Sequence, residues 1–144
     1  MPLAESWLKC EEAFGGRAVL KSTPEEIRQQ FDGLVQALLP LLPPFPENTT
    51  IVDGDVDGIK YRTYTPKEGN GPFPIGIWMH GGGYMVGDLN SDDFLCRVIA
   101  ENTQTAIVSV DYRLTPEHKW PAQLEDSVKV YKWVRSPICH YVLL

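Results

Sequence analysis

The sequence has no surplus of basic residues, no cysteine framework and no long uninterrupted hydrophobic run. Its 144 residues include 13 lysines and arginines against 19 aspartates and glutamates, which gives a formal net charge of −6. No run of lysines and arginines is present either, so the composition argues against a surface for nucleic acid or for an anionic membrane. With 43% hydrophobic residues, the chain can still bury the core of one domain.

The cysteines and the apolar segments point to a cytoplasmic protein. Cys10, Cys96 and Cys139 are odd in number and far apart, and they form neither a CxxC pair nor a disulfide framework. No basic segment followed by an apolar stretch opens the sequence, so we expect no secretory signal. The most apolar segment, residues 34–45, is interrupted by Gln36 and three prolines and is too short to cross a bilayer.

Two helices are predicted in residues 1–45. Trp7, Cys10 and Phe14 have helical spacing before a Gly-Gly stop at 15–16. Thr23-Pro24-Glu25-Glu26 predicts the capped start of a second helix, which Pro40 ends. Its apolar residues predict one buried face: Ile27, Phe31, Leu34, Val35, Leu38 and Leu39.

The pattern then changes to strands that alternate with helices. A strand at 51–53 and a half-exposed strand from Ile59 to Tyr64 flank the hairpin turn Asp57-Gly58. Residues 75–79 and 106–110 are short apolar runs without alternation, typical of strands buried on both faces of a parallel sheet. This order predicts an α/β fold with a mainly parallel sheet.

Two further helices are predicted beside these strands. The segment Asn90-Ser91-Asp92-Asp93 predicts the cap of a helix over 91–102, and another helix is predicted over 122–135. We expect Leu95, Val98 and Ile99 to share a face of the first helix. In the second, we expect Leu124, Val128 and Tyr131 to point inward.

The segment His80-Gly81-Gly82-Gly83 follows the predicted strand 75–79 and is the most informative part of the sequence. Consecutive glycines leave backbone N–H groups free to face a ligand, and two such groups can stabilise the oxyanion of an attacked ester. A dinucleotide fingerprint starting at Gly81 would need a glycine where Val86 stands, and no Gly-Lys-Ser/Thr follows for a phosphate loop. A purely structural turn stays open as the alternative.

Two motifs together resemble the hormone-sensitive-lipase family of α/β-hydrolases, the carboxylesterases and lipases of the HGGG type. The motifs are HGGGYMVGD at 80–88 and DYRLTPEHKWPAQLED at 111–126, separated by a predicted helix and a buried strand. The match extends over roughly residues 50–134. The resemblance also implies that the helices of residues 1–45 form a cap over an acyl pocket, with Trp7, Phe14 and Phe31 near it, although core packing explains these aromatics equally well.

The resemblance implies roles for individual residues. Gly82 and Gly83 would donate the oxyanion N–H groups, and His80 and Gly81 would belong to the loop that holds them, with His80 not acting as the base. Three residues would be scaffold beside the site: Asp111, Tyr112 and Arg113. In the family's sheet order, the strand 75–79 lies between the strand 106–110 and a strand that this sequence lacks. We therefore expect an open sheet edge and self-association.

The catalytic triad is absent from the sequence. Members of this family attack with a serine in a Gly-x-Ser-x-Gly elbow, and no serine here has flanking glycines: Ser6, Ser22, Ser91, Ser109, Ser127 and Ser136. We expect Ser91 to cap a helix and His118 to be a surface or loop-fixing residue. His140 and Cys139 lie in residues 136–144, a divergent tail where the family would lead into the elbow.

We therefore interpret the sequence as the N-terminal part of a carboxylic ester hydrolase, with cap helices in 1–45 and the first half of the core in 46–135. The ligand implied is a small-molecule ester or acyl compound. No metal-ligand spacing is present, and no cofactor is expected. The polypeptide alone is expected to be inactive. Two alternatives stay open: a non-catalytic ligand-binding protein, and a regulatory fragment that pairs with a full-length homologue.

Overall fold

The computed structural model describes residues 4–13, 15–16 and 22–136. It contains four α-helices, four strands and one 3-10 turn within these ranges. In chain order they are α1 (Glu5–Ala13), α2 (Pro24–Leu38), the 3-10 turn Leu39–Leu41, β1 (Thr49–Val56), β2 (Ile59–Pro66), β3 (Ile75–Met79), α3 (Asp93–Thr103), β4 (Ala106–Val110) and α4 (Ala122–Val134). The expectations for Phe14, Cys139 and His140 lie outside the described residues.

The strands form one mixed sheet in the order β1-β2-β4-β3. β1 and β2 are antiparallel around the predicted turn, where Asp57 and Gly58 have positive φ angles of 52° and 81°. β2 and β4 are also antiparallel, whereas β3 and β4 are parallel, with Ile77 opposite Val108. The α/β class is confirmed. Within the described ranges, however, the parallel pairing is confined to β3 and β4, which α3 connects.

Helices cover the two faces of the sheet. Successive residues of β4 point to opposite faces, so its five buried side chains contribute to both cores. The cluster beside α4 contains Ile59, Tyr61, Val108, Val110, Tyr112, Val130 and Val134. The cluster beside α3 contains Tyr64, Cys96, Ala100 and Ile107. Because β3 and β4 are parallel, the loops that follow them leave the sheet at the same end of the strands, between these two helical layers.

The expected burial of two strands is corrected. The half-exposed pattern of β2 fails at Tyr64, which is fully buried because α3 covers the second face of the sheet there. β1 is longer than the expected strand at 51–53. β3 is not buried on both faces: its first four residues are half-buried and Met79 is 55% exposed, because the strand lies at the edge of the sheet.

The expected inner face of α4 is wrong, and those of α3 and α2 are confirmed only in part, with Ile99 of α3 packed on the core. On α4, Leu124, Val128 and Tyr131 are exposed. The buried residues there include Gln123 and Asp126. On α3, Leu95 is exposed, and the buried residues are Cys96 and Ala100. On α2, Ile27 is buried, Leu34 is exposed, and the other members of the predicted face are half-buried.

The polar residues of α4 can turn inward because each has a partner. The carboxylate of Asp126 accepts hydrogen bonds from the backbone N–H, Nε and Nη2 of Arg113, at 3.0, 2.8 and 2.7 Å. The amide of Gln123 donates to the carbonyl of His118 at 2.7 Å. Buried polar groups are tolerated when they are paired in this way, and these bonds fasten the 111–121 loop to α4.

The start of α2 agrees with its sequence. The Thr23 hydroxyl accepts from the Glu26 N–H at 3.4 Å, and the Glu26 carboxylate accepts from the Thr23 N–H at 3.0 Å. The α-helix ends at Leu38, and Pro40 lies in the 3-10 turn that follows it. Ser91 does not cap α3. Its hydroxyl bonds instead to Asp88, donating to the carboxylate at 3.0 Å and accepting from the N–H at 2.9 Å.

Candidate active site

The glycine-rich loop leaves β3 at the end where β4 also ends. Because β3 and β4 are parallel, the loops that follow them, 80–88 and 111–121, lie side by side. The N–H and the hydroxyl of Thr115 both donate to the carbonyl of Tyr84, at 2.8 and 3.2 Å. The two motifs of the sequence are therefore in direct contact.

His80 is buried and held by its neighbours. The Tyr112 hydroxyl donates to the backbone carbonyl of His80 at 2.7 Å, and the two rings stack with centroids 4.2 Å apart. Nδ1 of His80 lies 2.8 Å from the carbonyl oxygen of Gly81. Its Nε2 is buried and has no hydrogen-bond partner among the residues described. These contacts fix the ring beside the loop, and the loop-holding role that the resemblance implies for His80 stays a prediction.

The turn after His80 requires glycine at two positions. Gly82 has a φ angle of 123°, and a Cβ added there would collide with the backbone carbonyl of Val86. Gly87 has a φ angle of 95°, and its Cβ would collide with Nδ1 of His80 and lie 2.7 Å from the Gly81 oxygen. Both positions combine a left-handed backbone with a close approach that no other residue tolerates.

The N–H groups of the three consecutive glycines differ in their partners. The Gly81 N–H donates to the carboxylate of Asp92 at 3.4 Å, and the Trp78 indole donates to the same oxygen at 2.9 Å. The N–H groups of Gly82 and Gly83 donate to no group in the described part of the chain. They take no part in the ladder between β3 and β4, so they are available to a ligand.

A groove of about 480 Å³ lies against this turn. Most of its surface is apolar, and several of the aromatic and aliphatic side chains that contribute it are exposed. The lining residues are Met79, the loop residues 80–84, Tyr112, Trp120, Gln123, Leu124 and Ser127. Neither Trp7 nor Phe31 is among them, so an acyl site built from these two aromatics stays a prediction. An aliphatic or aromatic group of a ligand that binds in this groove would be shielded from water next to the free N–H groups of the turn.

The charges around the loop are set by burial and hydrogen bonding. Burial raises the pKa of Tyr112 to about 12, so its hydroxyl keeps the proton that it donates to His80. Burial also raises the pKa of the Asp111 carboxyl above its usual value. Burial acts in the same direction on Asp88, but hydrogen bonds from Asn90 and Ser91 outweigh it and lower the pKa of Asp88.

The remaining predicted residues do not assemble a nucleophile and a base. Ser127 lines the groove, but its hydroxyl donates to the carbonyl of Gln123 at 2.8 Å. His118 is exposed in the loop before α4, as expected, and Ser109 is buried in β4. Within ranges 4–13, 15–16 and 22–136, no group of three or more His, Cys, Asp or Glu side chains is placed to hold a metal ion. None of the helices described has the length and apolar content of a membrane span.

Sequence reasoning missed several residues of this site. Asp92 fixes the loop from the start of α3, and Trp120, Gln123 and Leu124 supply a wall of the groove. The spacing of Asp92 suggested only a helix cap. Trp120 belongs to the second motif, at 111–126, but nothing in the sequence indicates that its side chain is exposed beside the glycines.

The sequence was compared with protein families and with known proteins, and the matches are α/β-hydrolases and esterases. Residues 76–141 match the sequence profile of a family described as alpha/beta hydrolase fold. The chain is 58% identical over 133 residues to the versiconal hemiacetal acetate esterase of Dothistroma septosporum, an alignment that covers 92% of this chain and 40% of the relative. It is 35% identical over 132 residues to esterase LipI of Mycobacterium tuberculosis, covering 88% of this chain and 40% of that protein.

The fold also superposes on a solved esterase structure. The hyperthermophilic esterase of the archaeon Pyrobaculum calidifontis superposes with a TM-score of 0.76 at 30% identity, over 93% of this chain and 44% of that one. The chain thus spans about 40% of the length of the curated relatives that it matches.

Proposed function

Because the chain belongs to the α/β-hydrolase fold family, we propose that its loop 80–88 supplies the oxyanion side of a carboxylic ester hydrolase site. In this proposal the N–H groups of Gly82 and Gly83 bind the oxygen that becomes negative when the ester carbonyl is attacked. Hydrogen-bond donors fixed in place before the reaction stabilise that charge without reorganisation, and one such donor contributes roughly 100- to 1,000-fold in rate. Gly81 and His80 hold the loop.

One observation carries the proposal. Of the three consecutive glycine N–H groups, that of Gly81 is bonded to Asp92, whereas those of Gly82 and Gly83 have no acceptor in the described residues. Gly82 and Gly83 line a largely apolar groove. Gly82 is half-buried and Gly83 is exposed, so an acceptor atom of a ligand in the groove can reach both N–H groups, which supports a ligand there. The ligand that fits is an ester whose carbonyl oxygen faces the turn.

The substrate class that we propose is a small ester with a short acyl group. The name of the Dothistroma septosporum relative specifies an acetate ester, and an acetyl group is small enough to lie against the glycines. The aromatic and aliphatic walls of the groove, Tyr84, Trp120 and Leu124, would then contact the larger part of the ester. We propose a cytoplasmic location, in keeping with the free, buried thiol of Cys96.

We also propose that these 144 residues alone do not turn over esters. No serine of the sequence stands in a Gly-x-Ser-x-Gly elbow. In this fold a further oxyanion N–H comes from the residue after the nucleophile, so that donor is missing as well. Enzymes stripped of the triad keep roughly 10³- to 10⁴-fold over water, and a chain with part of the hole should keep less.

The experiment is in two parts. Purified protein is first assayed with p-nitrophenyl acetate and butyrate, where we expect no saturable rate. Turnover that a serine-directed inhibitor abolishes would contradict the inactivity. Methylphosphonate, a tetrahedral anion, is then titrated into 15N-labelled protein, and we expect the amide signals of Gly82 and Gly83 to shift more than that of Gly81. A titration that moves none of these three signals would contradict the oxyanion role.

A further inference from the structure

Arg28 of helix α2 reaches both loops of the candidate site. Its Nε donates to the backbone carbonyl of Met85 at 2.9 Å, and its Nη2 donates to the carbonyl of Thr115 at 2.8 Å. The same guanidinium pairs with the carboxylate of Glu117, Nη1 to Oε1 at 2.9 Å and Nη2 to Oε2 at 2.6 Å. One side chain from a distant helix therefore joins segments that are 57 and 87 residues away in sequence.

The carbonyl of Met85 belongs to the turn that presents the free N–H groups. The N–H groups of Met85 and Val86 both donate to the carbonyl of Gly82 at 3.1 Å, which closes the turn. The peptide that carries the Met85 oxygen also carries the Val86 N–H, so the bond from Arg28 restrains the orientation of a group bonded directly to Gly82. On the other side, Thr115 is bonded to Tyr84.

We infer that Arg28 is a positioning residue that holds the turn 82–86, and with it the direction of the Gly82 and Gly83 N–H groups. The inference rests on the proposed function for its catalytic meaning. It makes α2 part of the site, although none of the residues of α2 lines the groove. The planar guanidinium suits this role because its donors are fixed in a fork, which a lysine ammonium cannot reproduce.

Glu117 pairs with the guanidinium, and among the described residues it makes no hydrogen bond to the loop 80–88. Its carboxylate is about half exposed, and exposed ion pairs contribute little to stability on their own. The hydrogen bond from Arg28 lowers the pKa of Glu117 to about 2, so the carboxylate stays ionised in neutral solution. Glu117 therefore offers a matched control, because its replacement removes the ion pair and leaves both bonds from Arg28 to backbone carbonyls in place.

The test compares Arg28→Gln, Arg28→Lys and Glu117→Gln in the full chain, labelled with 15N. For Arg28→Gln we expect shifted or broadened amide signals of Gly82 and Gly83. We also expect hydrogen exchange of the Met85 and Val86 amides to be faster by about 10-fold or more, since a charged hydrogen bond is lost. Arg28→Lys should behave similarly, and Glu117→Gln should change these rates by less than about threefold.

Amides in the middle of β4 separate positioning from general stability, because their exchange follows unfolding of the core. If Arg28→Gln accelerates the amides of the turn and of β4 equally, or if Glu117→Gln has the same effect as Arg28→Gln, the inference is wrong. A spectrum of Arg28→Lys identical to that of the original protein would also overturn it, because charge alone would suffice. If Arg28→Gln does not fold, Arg28→Lys decides between these outcomes.

The methylphosphonate titration distinguishes this inference from the proposed function. If the original protein shows no shift of Gly82 and Gly83 with the anion, the proposed oxyanion role fails, while the exchange rates still decide whether Arg28 holds the turn. If the anion binds the original protein and Arg28→Gln binds it more weakly than Glu117→Gln does, both are supported. Equal binding by the two variants would contradict the inference and leave the oxyanion role standing.

Discussion

Gly87 shows how strongly single atoms constrain the loop. Its missing side chain leaves room for the ring of His80, which in turn stacks on Tyr112 and contacts the Gly81 carbonyl. Gly81 itself has open space where a Cβ would be, and its φ angle is not in the left-handed region. Close packing and a left-handed backbone thus require glycine at 87, whereas neither the space nor the φ angle requires glycine at 81.

This contrast gives a prediction. Gly87→Ala should lower the free energy of unfolding by about 1–3 kcal/mol, because the methyl group would collide with His80 and the backbone would be strained. Gly81→Ala is the matched control and should change the free energy of unfolding by less than about 1 kcal/mol. Urea denaturation followed by far-UV circular dichroism measures both. Equal losses in the two variants would show that the contact with His80 does not limit position 87.

Asp126 gives a prediction for pH dependence. Burial favours its neutral acid, but the hydrogen bonds and charge of Arg113 outweigh burial, so the pKa of Asp126 lies below its usual value. A carboxyl whose pKa is lower in the folded state stabilises the protein above the unfolded pKa of about 4, and this contribution is lost as the pH falls through the folded value.

The free energy of unfolding should therefore decline below about pH 4. The slope of this decline measures how many more protons the unfolded state binds than the folded state, and Asp126→Asn should lower that number by up to about one. Thermal unfolding measured from pH 7 to pH 2 tests this. Glu125→Gln is the control on the neighbouring position, since Glu125 is exposed and lies 3.6 Å from Arg113. A slope that is unchanged in Asp126→Asn would contradict the assignment.

At the scale of elements, helix α3 protects one thiol. Cys96 is fully buried between α3 and the sheet, and burial raises its pKa to about 12. A thiol that is both inaccessible and protonated reacts slowly with alkylating reagents. We expect iodoacetamide at pH 8 to label Cys96 at least about 10-fold more slowly than a free thiol, and the rate to rise in urea as α3 separates from the sheet.

Mass spectrometry of the peptide that contains Cys96 measures this labelling independently of the other cysteines. Leu95→Ala provides a control, because Leu95 is exposed on the same helix and its truncation should leave the rate almost unchanged. Truncation of the buried neighbour in Ala100→Gly should accelerate labelling through a weaker helix. Fast labelling of the original protein in the absence of urea would show that α3 does not cover the thiol.

The elements were predictable from local patterns, and their inner faces were not. The capping box of α2, the Asp57-Gly58 turn and the buried strand β4 follow from a few neighbouring residues each. The inner face of α4 depends on Asp126 meeting Arg113, which lies in a different segment. Analysis of hydrophobic periodicity predicts that leucine is buried and aspartate is exposed. It cannot predict that a distant arginine will pair with the aspartate and allow its burial.

The candidate site divides in the same way. The glycines and His80 were predicted because their chemistry is contained in one short motif. Asp92 and Arg28 were missed as site residues because their roles depend on contacts between segments that are distant in sequence. Asp92 precedes α3, and Arg28 lies in α2, which precedes the whole sheet. The family's sheet order predicted that β3 lies at an edge. The apolar sequence of β3 predicted burial on both faces, and the partial exposure of the strand became evident only from the structure.

At the scale of the whole molecule, the sheet and the groove present apolar side chains that are exposed in the described part of the chain. β3 pairs with β4 alone among the described strands, and the apolar side chains Met79, Tyr84, Trp120 and Leu124 are exposed around the adjacent groove. An edge strand with apolar neighbours favours association between copies. This supports the prediction of self-association, which we extend to a specific variant.

We expect the average mass of the protein in sedimentation equilibrium to rise with concentration, and Met79→Lys to reduce this rise by placing a charge beside the edge of β3. Val52→Lys is the control at the other edge strand, where a residue of similar exposure is replaced. Association that is equally strong in the original protein and in Met79→Lys would contradict the assignment. So would a reduction of the same size in Val52→Lys, because the association would then not be localised at β3.

The carboxylate of Asp92 links an indole ring to the glycine turn, and this has an optical consequence. Trp78 and the Gly81 N–H share one oxygen of Asp92, at 2.9 and 3.4 Å. If the turn moves and the glycine bond breaks, the negative charge next to the indole is less compensated, so the emission wavelength of Trp78 must change. In a variant that keeps Trp78 as its single tryptophan, fluorescence would follow rearrangement of the turn in real time without any added dye.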